Sequence, residues 1–98
     1  MPSQPVTILT PAIDTSGIRD VVHWVEFTTT WASLSPARTD GLEDFVIRPV
    51  NGINDKMRVI VGPRAFEIQE IVPLNNRLRH IILRCREIII PLGEEPWR

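Results

Sequence analysis

Apolar residues in this chain recur in short runs separated by turn residues, and helical spacing is rare. Val6–Leu9 reads as a first strand, closed by Thr10-Pro11, and Asp14–Gly17 supplies the polar and glycine residues of a turn. Val21–Leu34 is dense in β-branched and aromatic side chains. Val25, Phe27, Thr29 and Trp31 share one parity there, and Val22, Trp24, Glu26 and Thr28 the other. Apolar weight on both faces of so long a strand predicts a bend or a bulge, as in strands that close barrels.

Ser35–Gly41 is a polar loop, and Phe45–Arg48 a short strand stopped by Pro49. Asn51-Gly52 and Asn54-Asp55 are turn dipeptides. Arg58–Val61 is a strand, with Gly62-Pro63-Arg64 a tight turn into Ala65–Gln69, where Phe66 and Ile68 point inward and Glu67 and Gln69 outward. Pro73 ends that strand and Asn75-Asn76 make a hairpin turn before a last long strand, Leu78–Ile90. Leu78, Ile81, Ile82 and Cys85 also fit a helical stripe, but the Ile88–Ile90 triplet and the absence of a cap favour a strand. The pattern therefore predicts an all-β fold, a small antiparallel β-barrel or sandwich of about six strands with extended loops. The prolines of 91–98 exclude that C-terminal tail from the sheet.

With 98 residues the chain suits one domain, 1–98, burying roughly 60–68% of the surface it would expose unfolded. Eleven basic against twelve acidic residues give a formal net charge of -1, which disfavours a protein whose task is to coat DNA. All the basic residues except Lys56 are arginine, a residue favoured in interfaces, although a compositional bias gives the same skew. The single Cys85 alternates with Ile81 and Leu83 and is expected to be a buried, inert thiol. No run approaches the ~20 apolar residues of a membrane span, and the N-terminus lacks the signature of a signal peptide. The expected setting is the cytosol or a particle assembled there.

Candidate chemistry is sparse. His23 and His80 have no ligand-spaced partner, and no nucleophile elbow, P-loop or dinucleotide fingerprint occurs. Ser33-Leu34-Ser35 has no nearby base, and the acidic run Asp40–Asp44 reads as a solvated loop rather than a cation loop. No enzyme, metal or cofactor is expected. Arg77 and Arg79 share one strand parity and Arg84 and Arg86 the other, which argues against a single basic stripe and fits arginines spread over two interfaces. Trp24 and Trp31 are expected as core or interface anchors, and Trp97, in the proline-flanked tail, as an anchor on a partner.

The order of these features resembles the phage head-tail joining family, also called head-completion, stopper or head-closure proteins. The resemblance runs from Val6 to Glu87 through the Val6-Thr7-Ile8 strand, Trp24, Thr30-Trp31-Ala32-Ser33-Leu34, Ile47-Arg48 and Ile53. It continues through Met57-Arg58-Val59, Gly62–Ile68 and Leu83-Arg84-Cys85-Arg86-Glu87. It implies a virion protein of a tailed-phage neck, assembled in the host cytoplasm as a ring of about six or twelve copies around the DNA exit channel. Its partners would be the portal or head-tail adaptor above and the tail terminator or tail tube below, with genomic DNA passing non-specifically. The loop residues Arg38, Asp40 and Glu43 would face the lumen; Arg77, Arg79, Arg84, Arg86 and Trp97 are, from their own pattern, candidates for an interface or the lumen, with a solvated strand face the alternative for the arginines. Family members usually carry a longer insertion where this chain has Ser35–Asp44, so the expectation is a ring-forming connector rather than a DNA-gating plug. The alternatives are a tail terminator or other tail-completion protein on a similar barrel, and a small-barrel nucleic-acid-binding module.

Overall fold

The computed structural model describes residues 3–15, 17, 21–34, 40–74 and 79–89. Its strands are β1 (Ser3–Asp14), β2 (Val21–Leu34), β3 (Glu43–Ile47), β4 (Arg58–Val61), β5 (Arg64–Pro73) and β6 (Ile81–Ile88). They form one closed antiparallel barrel in the order β1-β2-β3-β6-β5-β4. β4, β5 and β6 follow one another as hairpins, and β3 lies beside β6, so these four strands make a Greek key. Of the all-β barrel or sandwich expected from the apolar pattern, the barrel is the observed fold.

The β1–β2 ribbon is the longest element, and its irregularity has a cause in the sequence. Ile8 pairs with Thr28 but Leu9 pairs with Glu26, so Phe27 is an extra residue on β2. This bulge switches the facing of β2. Thr28, Thr30 and Ala32 stand on the side of the buried Val6 and Ile8, whereas Trp24 packs on the outer face beside Leu9, Ile60, Ala65 and Ile88. The bulge lets both parities of β2 carry apolar side chains, each over a different cluster.

The interior is filled by Val6, Ile8, Phe45, Ile47, Val59, Phe66, Ile68, Leu83 and Cys85. Phe45 and Phe66 meet edge to face, with ring centroids 5.0 Å apart. One end is stoppered by the β3–β4 connection, from which Val50, Ile53 and Met57 reach the core. Gly52, with φ +88°, holds that connection against Phe27, where an added Cβ would lie 3.3 Å from the ring. Gly62, with φ 57°, occupies the first central position of the two-residue β4–β5 turn, where a type II′ hairpin needs a positive φ.

Three boundaries differ from the sequence reading. β1 passes through Thr10-Pro11 and ends at Asp14, because Pro11 lies opposite Trp24 where, among the described residues, β1 has no second neighbour to bond. β3 begins at Glu43 rather than Phe45, so part of the acidic run is strand rather than loop. β6 spans Ile81–Ile88 rather than Leu78–Ile90, since Arg79 adopts φ 53° and turns the chain before the ladder starts. The Leu74 amide donates to the His80 carbonyl at 2.8 Å and closes that hairpin. The expected Asn75-Asn76 turn, the 91–98 tail and Ser35–Thr39 lie outside the described residues.

Candidate functional site

Side-chain charge on this barrel is organised by two arginines, each spanning more than one strand. A second bulge sets the first of them. Ile68 pairs with Cys85 and Glu70 with Arg84, so Gln69 is extra and Glu70 faces Arg84 across the β5–β6 ladder. On the other side Asp44 of β3 stands directly opposite Arg84. Arg84 donates from Nε to Asp44 Oδ1 at 3.1 Å and from Nη1 to Glu70 Oε2 at 3.1 Å. Asp44 is buried, and its carboxylate draws charge compensation from this contact.

The second arginine sits at the barrel end opposite the β3–β4 stopper. Arg64 donates from Nε and Nη2 to the two carboxylate oxygens of Glu87, at 3.0 and 2.9 Å. Nη2 also reaches Glu43 Oε1 at 2.9 Å. The guanidinium lies over Phe66, 5.0 Å from the ring centroid. β3, β5 and β6 are thus tied across the mouth of the barrel by one planar cation. Hydrogen bonding to Arg64 holds the Glu87 carboxyl below its usual range, and the two carboxylates raise the Arg64 pKa. Burial, followed by the charges of Asp44 and Glu43, pushes the Cys85 thiol up to about 12, so it is packing rather than a nucleophile.

Among the described residues, the candidates read from the sequence do not converge. Asp40 accepts the Leu42 amide at 3.1 Å in an exposed turn leading into β3. Glu43 is an internal partner of Arg64 and Arg84 a partner of Asp44, so both are committed to the fold. Arg86 is exposed and paired in register with Glu67. Arg79 is exposed but precedes β6, so the strand parity argued for it does not apply. Arg84 and Arg86 do share the outer face, as their alternation requires. Arg38, Arg77 and Trp97 lie outside the described residues.

What remains open is an apolar surface on the β1–β2 ribbon. Among the described residues, β4 bonds β1 only at Thr7–Leu9, and β3 bonds β2 only at Ser33 and Leu34. Beyond those contacts the ribbon runs on as a two-stranded arm, with Ile13 65%, Val22 50% and Val25 45% exposed. Trp24 roots the arm, half-buried under Arg58, whose guanidinium is 4.0 Å from the ring centroid. Toward the other end of β2 a groove of about 580 Å³ opens between β2 and β3. Thr30, Trp31 and Ser33 form one wall, and Val46, Ile47, Arg48 and His80 the other. Trp31 is 65% exposed beside it and is not a core residue. Sequence reasoning singled out Trp31 but not Ile13, Val22 or Val25. Their exposure follows from β4 stopping short, which no local pattern reports. Among the described residues no three His, Cys, Asp or Glu side chains gather as metal ligands would, and no helix is long and apolar enough to cross a membrane.

No family model matches the chain, and no curated protein matches it. Among solved structures, the chain shares its fold with a chain of the virion of a native gene transfer agent particle. The TM-score is 0.62 at 15% identity, over 89% of this chain and 96% of that one. At this identity the likeness is one of fold.

Two outcomes follow from the arginine braces. Arg84→Met should destabilise the barrel by about 2–4 kcal/mol in urea unfolding, because Asp44 is left buried and charged, and adding Asp44→Leu should recover most of the loss. The Glu87 carboxyl is depressed in the folded state, so its stabilisation is present above the unfolded pKa of about 4.3 and is lost as pH falls through the folded value. Glu87→Gln should therefore flatten the acid limb of a stability–pH curve, by no more than about 1 kcal/mol given its exposure.

Proposed function

We propose that this chain is a non-enzymatic structural protein of a phage-like virion, a ring-forming component of the neck that joins the head to the tail. The observation that carries the reading is the shared fold with a virion chain of a gene transfer agent particle over nearly the full length of both chains. The ordered Trp31-Ala32, Arg58-Val59, Phe66-Glu67-Ile68 and Leu83-Arg84-Cys85 segments of the head-tail joining family fall on β2, β4, β5 and β6 of that fold. On this reading the copies, six or twelve of them, surround the channel, with the portal or adaptor on one side and the tail terminator or tail tube on the other.

The charge distribution supports a conduit over a nucleic-acid-binding module. Arg64 and Arg84 are spent on internal carboxylates, Arg58 lies on Trp24, and Arg86 faces Glu67. These four cations are already compensated within the fold, which lowers what they offer to the phosphates of passing DNA. The expected result of adding the purified protein to the portal–adaptor complex of its own particle is a ring on that complex in electron micrographs, together with recovery of the protein in purified particles. A protein that stays monomeric, never enters particles and instead binds DNA with a steep salt dependence would overturn the reading.

A further inference from the structure

The open backbone edges of the ribbon are not equivalent. Among the described residues, β1 lacks a second neighbour on both sides of Thr7–Leu9, and those stretches carry Pro5 and Pro11. A proline in a paired strand turns its nitrogen to the unpaired side, which blunts that edge against strand addition. β2 contains neither proline nor lysine along its 14 residues. Its edge away from β1 is bonded, among the described residues, only at Ser33 and Leu34. The register Ser33–Val46 would next set Trp31 against Arg48 and Thr30 against Pro49, and Pro49 has no N–H to offer. β3 leaves β2 at this point, and the groove opens where the pairing stops. Within Thr28–Ala32, alternate residues direct their N–H and C=O away from β1, toward the side that β3 has left.

An unpaired strand edge recognises extended peptide backbone, which brings donors and acceptors at the matching repeat. The surrounding charge narrows the class of peptide. Arg48 and His80 line the groove, and no aspartate or glutamate does. Arg48 is exposed and, unlike Arg64 and Arg84, is engaged by no carboxylate among the described residues. The hydroxyls of Thr29 and Ser33 add uncharged polar groups, and Trp31 stands exposed between them. Glu26, which accepts from the Thr29 hydroxyl at 3.4 Å, lies at the arm end of the strip, so charge runs from negative there to positive at Arg48.

We propose that the β2 edge between Thr28 and Ala32 takes an extended acidic segment of a different protein as an added strand, its carboxylates at the Arg48 end. Main-chain bonds to β2 supply the affinity, and the Arg48 cation selects the sign of charge and the direction of the segment. A five-residue edge spans roughly 17 Å at about 3.4 Å per residue, the length of an ordinary strand. A polynucleotide suits the edge less well, because backbone carbonyls alternate with the amides and repel phosphate. That the segment belongs to a neighbouring protein of the virion neck rests on the reading above, whereas the site itself needs only this fold.

The experiment is a nuclear magnetic resonance titration of the full chain with two threonine- and valine-rich peptides of about ten residues. One carries glutamate at alternate positions of one half, and the other lysine in their place. The expected result is binding of the glutamate peptide at least about tenfold more tightly than the lysine peptide, with the largest shifts at the Thr28–Ala32 amides. Arg48→Glu should reverse the preference, whereas Arg86→Glu, also at an exposed position, should leave it in place. Methylating alternate backbone nitrogens of the glutamate peptide should abolish binding. Equal affinity for the two peptides, no binding of either, or a preference that survives Arg48→Glu overturns the proposal. So does tighter binding of a single-stranded oligothymidylate, or a wild type that covers this edge with a second copy as its concentration rises. In assembled particles, a photo-crosslinking side chain at position 30 should mark an acidic stretch of another protein, and a mark on a copy of this chain overturns the proposal. Selective binding of the glutamate peptide by a protein absent from particle necks would instead overturn the neck reading alone.

Discussion

The whole molecule depends on the short stretch at which the sheet meets itself. Thr7–Leu9 of β1 bond β4 while the same strand bonds β2 along its full length, and this contact turns a six-stranded sheet into a closed barrel. Closure requires β1 and β2 to bend away from one another's flat register, and the bulge at Phe27 provides that bend. Because the closing contact is short, the rest of the ribbon is left outside the barrel. The enclosed core and the exposed arm are therefore two results of one constraint.

The same geometry decides where charge resides. Short strands leave two open barrel ends; the Val50–Met57 connection stoppers one and the Arg64 cation, held by Glu43 and Glu87, spans the other. Arg84 ties β3 and β5 to β6 on the outer face only because the Gln69 bulge brings Glu70 into line with it. Arginine is suited to both places, since its planar fork reaches two carboxylates at once. The arginine richness of the chain thus has, at these positions, an internal structural use.

Much of the fold was legible in the sequence, and the failures have physical reasons. The limits of β2, the turn at Gly62-Pro63 and the inward Phe66 and Ile68 follow from local pattern, and the expected irregularity in β2 is the Phe27 bulge. Thr10-Pro11 was misleading because a proline forbids only one edge of a strand, and which edge is free is a property of the assembled sheet. The acidic run was misleading because the partners of Glu43 and Asp44 lie about 20 and 40 positions away along the chain. Of the candidate residues, Arg84 and Glu43 proved to be braces. The apolar arm stayed hidden, since Ile13, Val22 and Val25 read as ordinary strand residues until the short reach of β4 is known.

The central claim is that the sheet closes on itself at Thr7–Leu9 and leaves the β2 edge between Thr28 and Ala32 open in the single chain. Amide hydrogen exchange, read residue by residue in the dilute protein, tests it most directly. The account predicts slow exchange where β1 bonds β4. It predicts fast exchange of those Thr28–Ala32 amides that point away from β1. Protection of these amides in the dilute single chain, or fast exchange where β1 bonds β4, would contradict it.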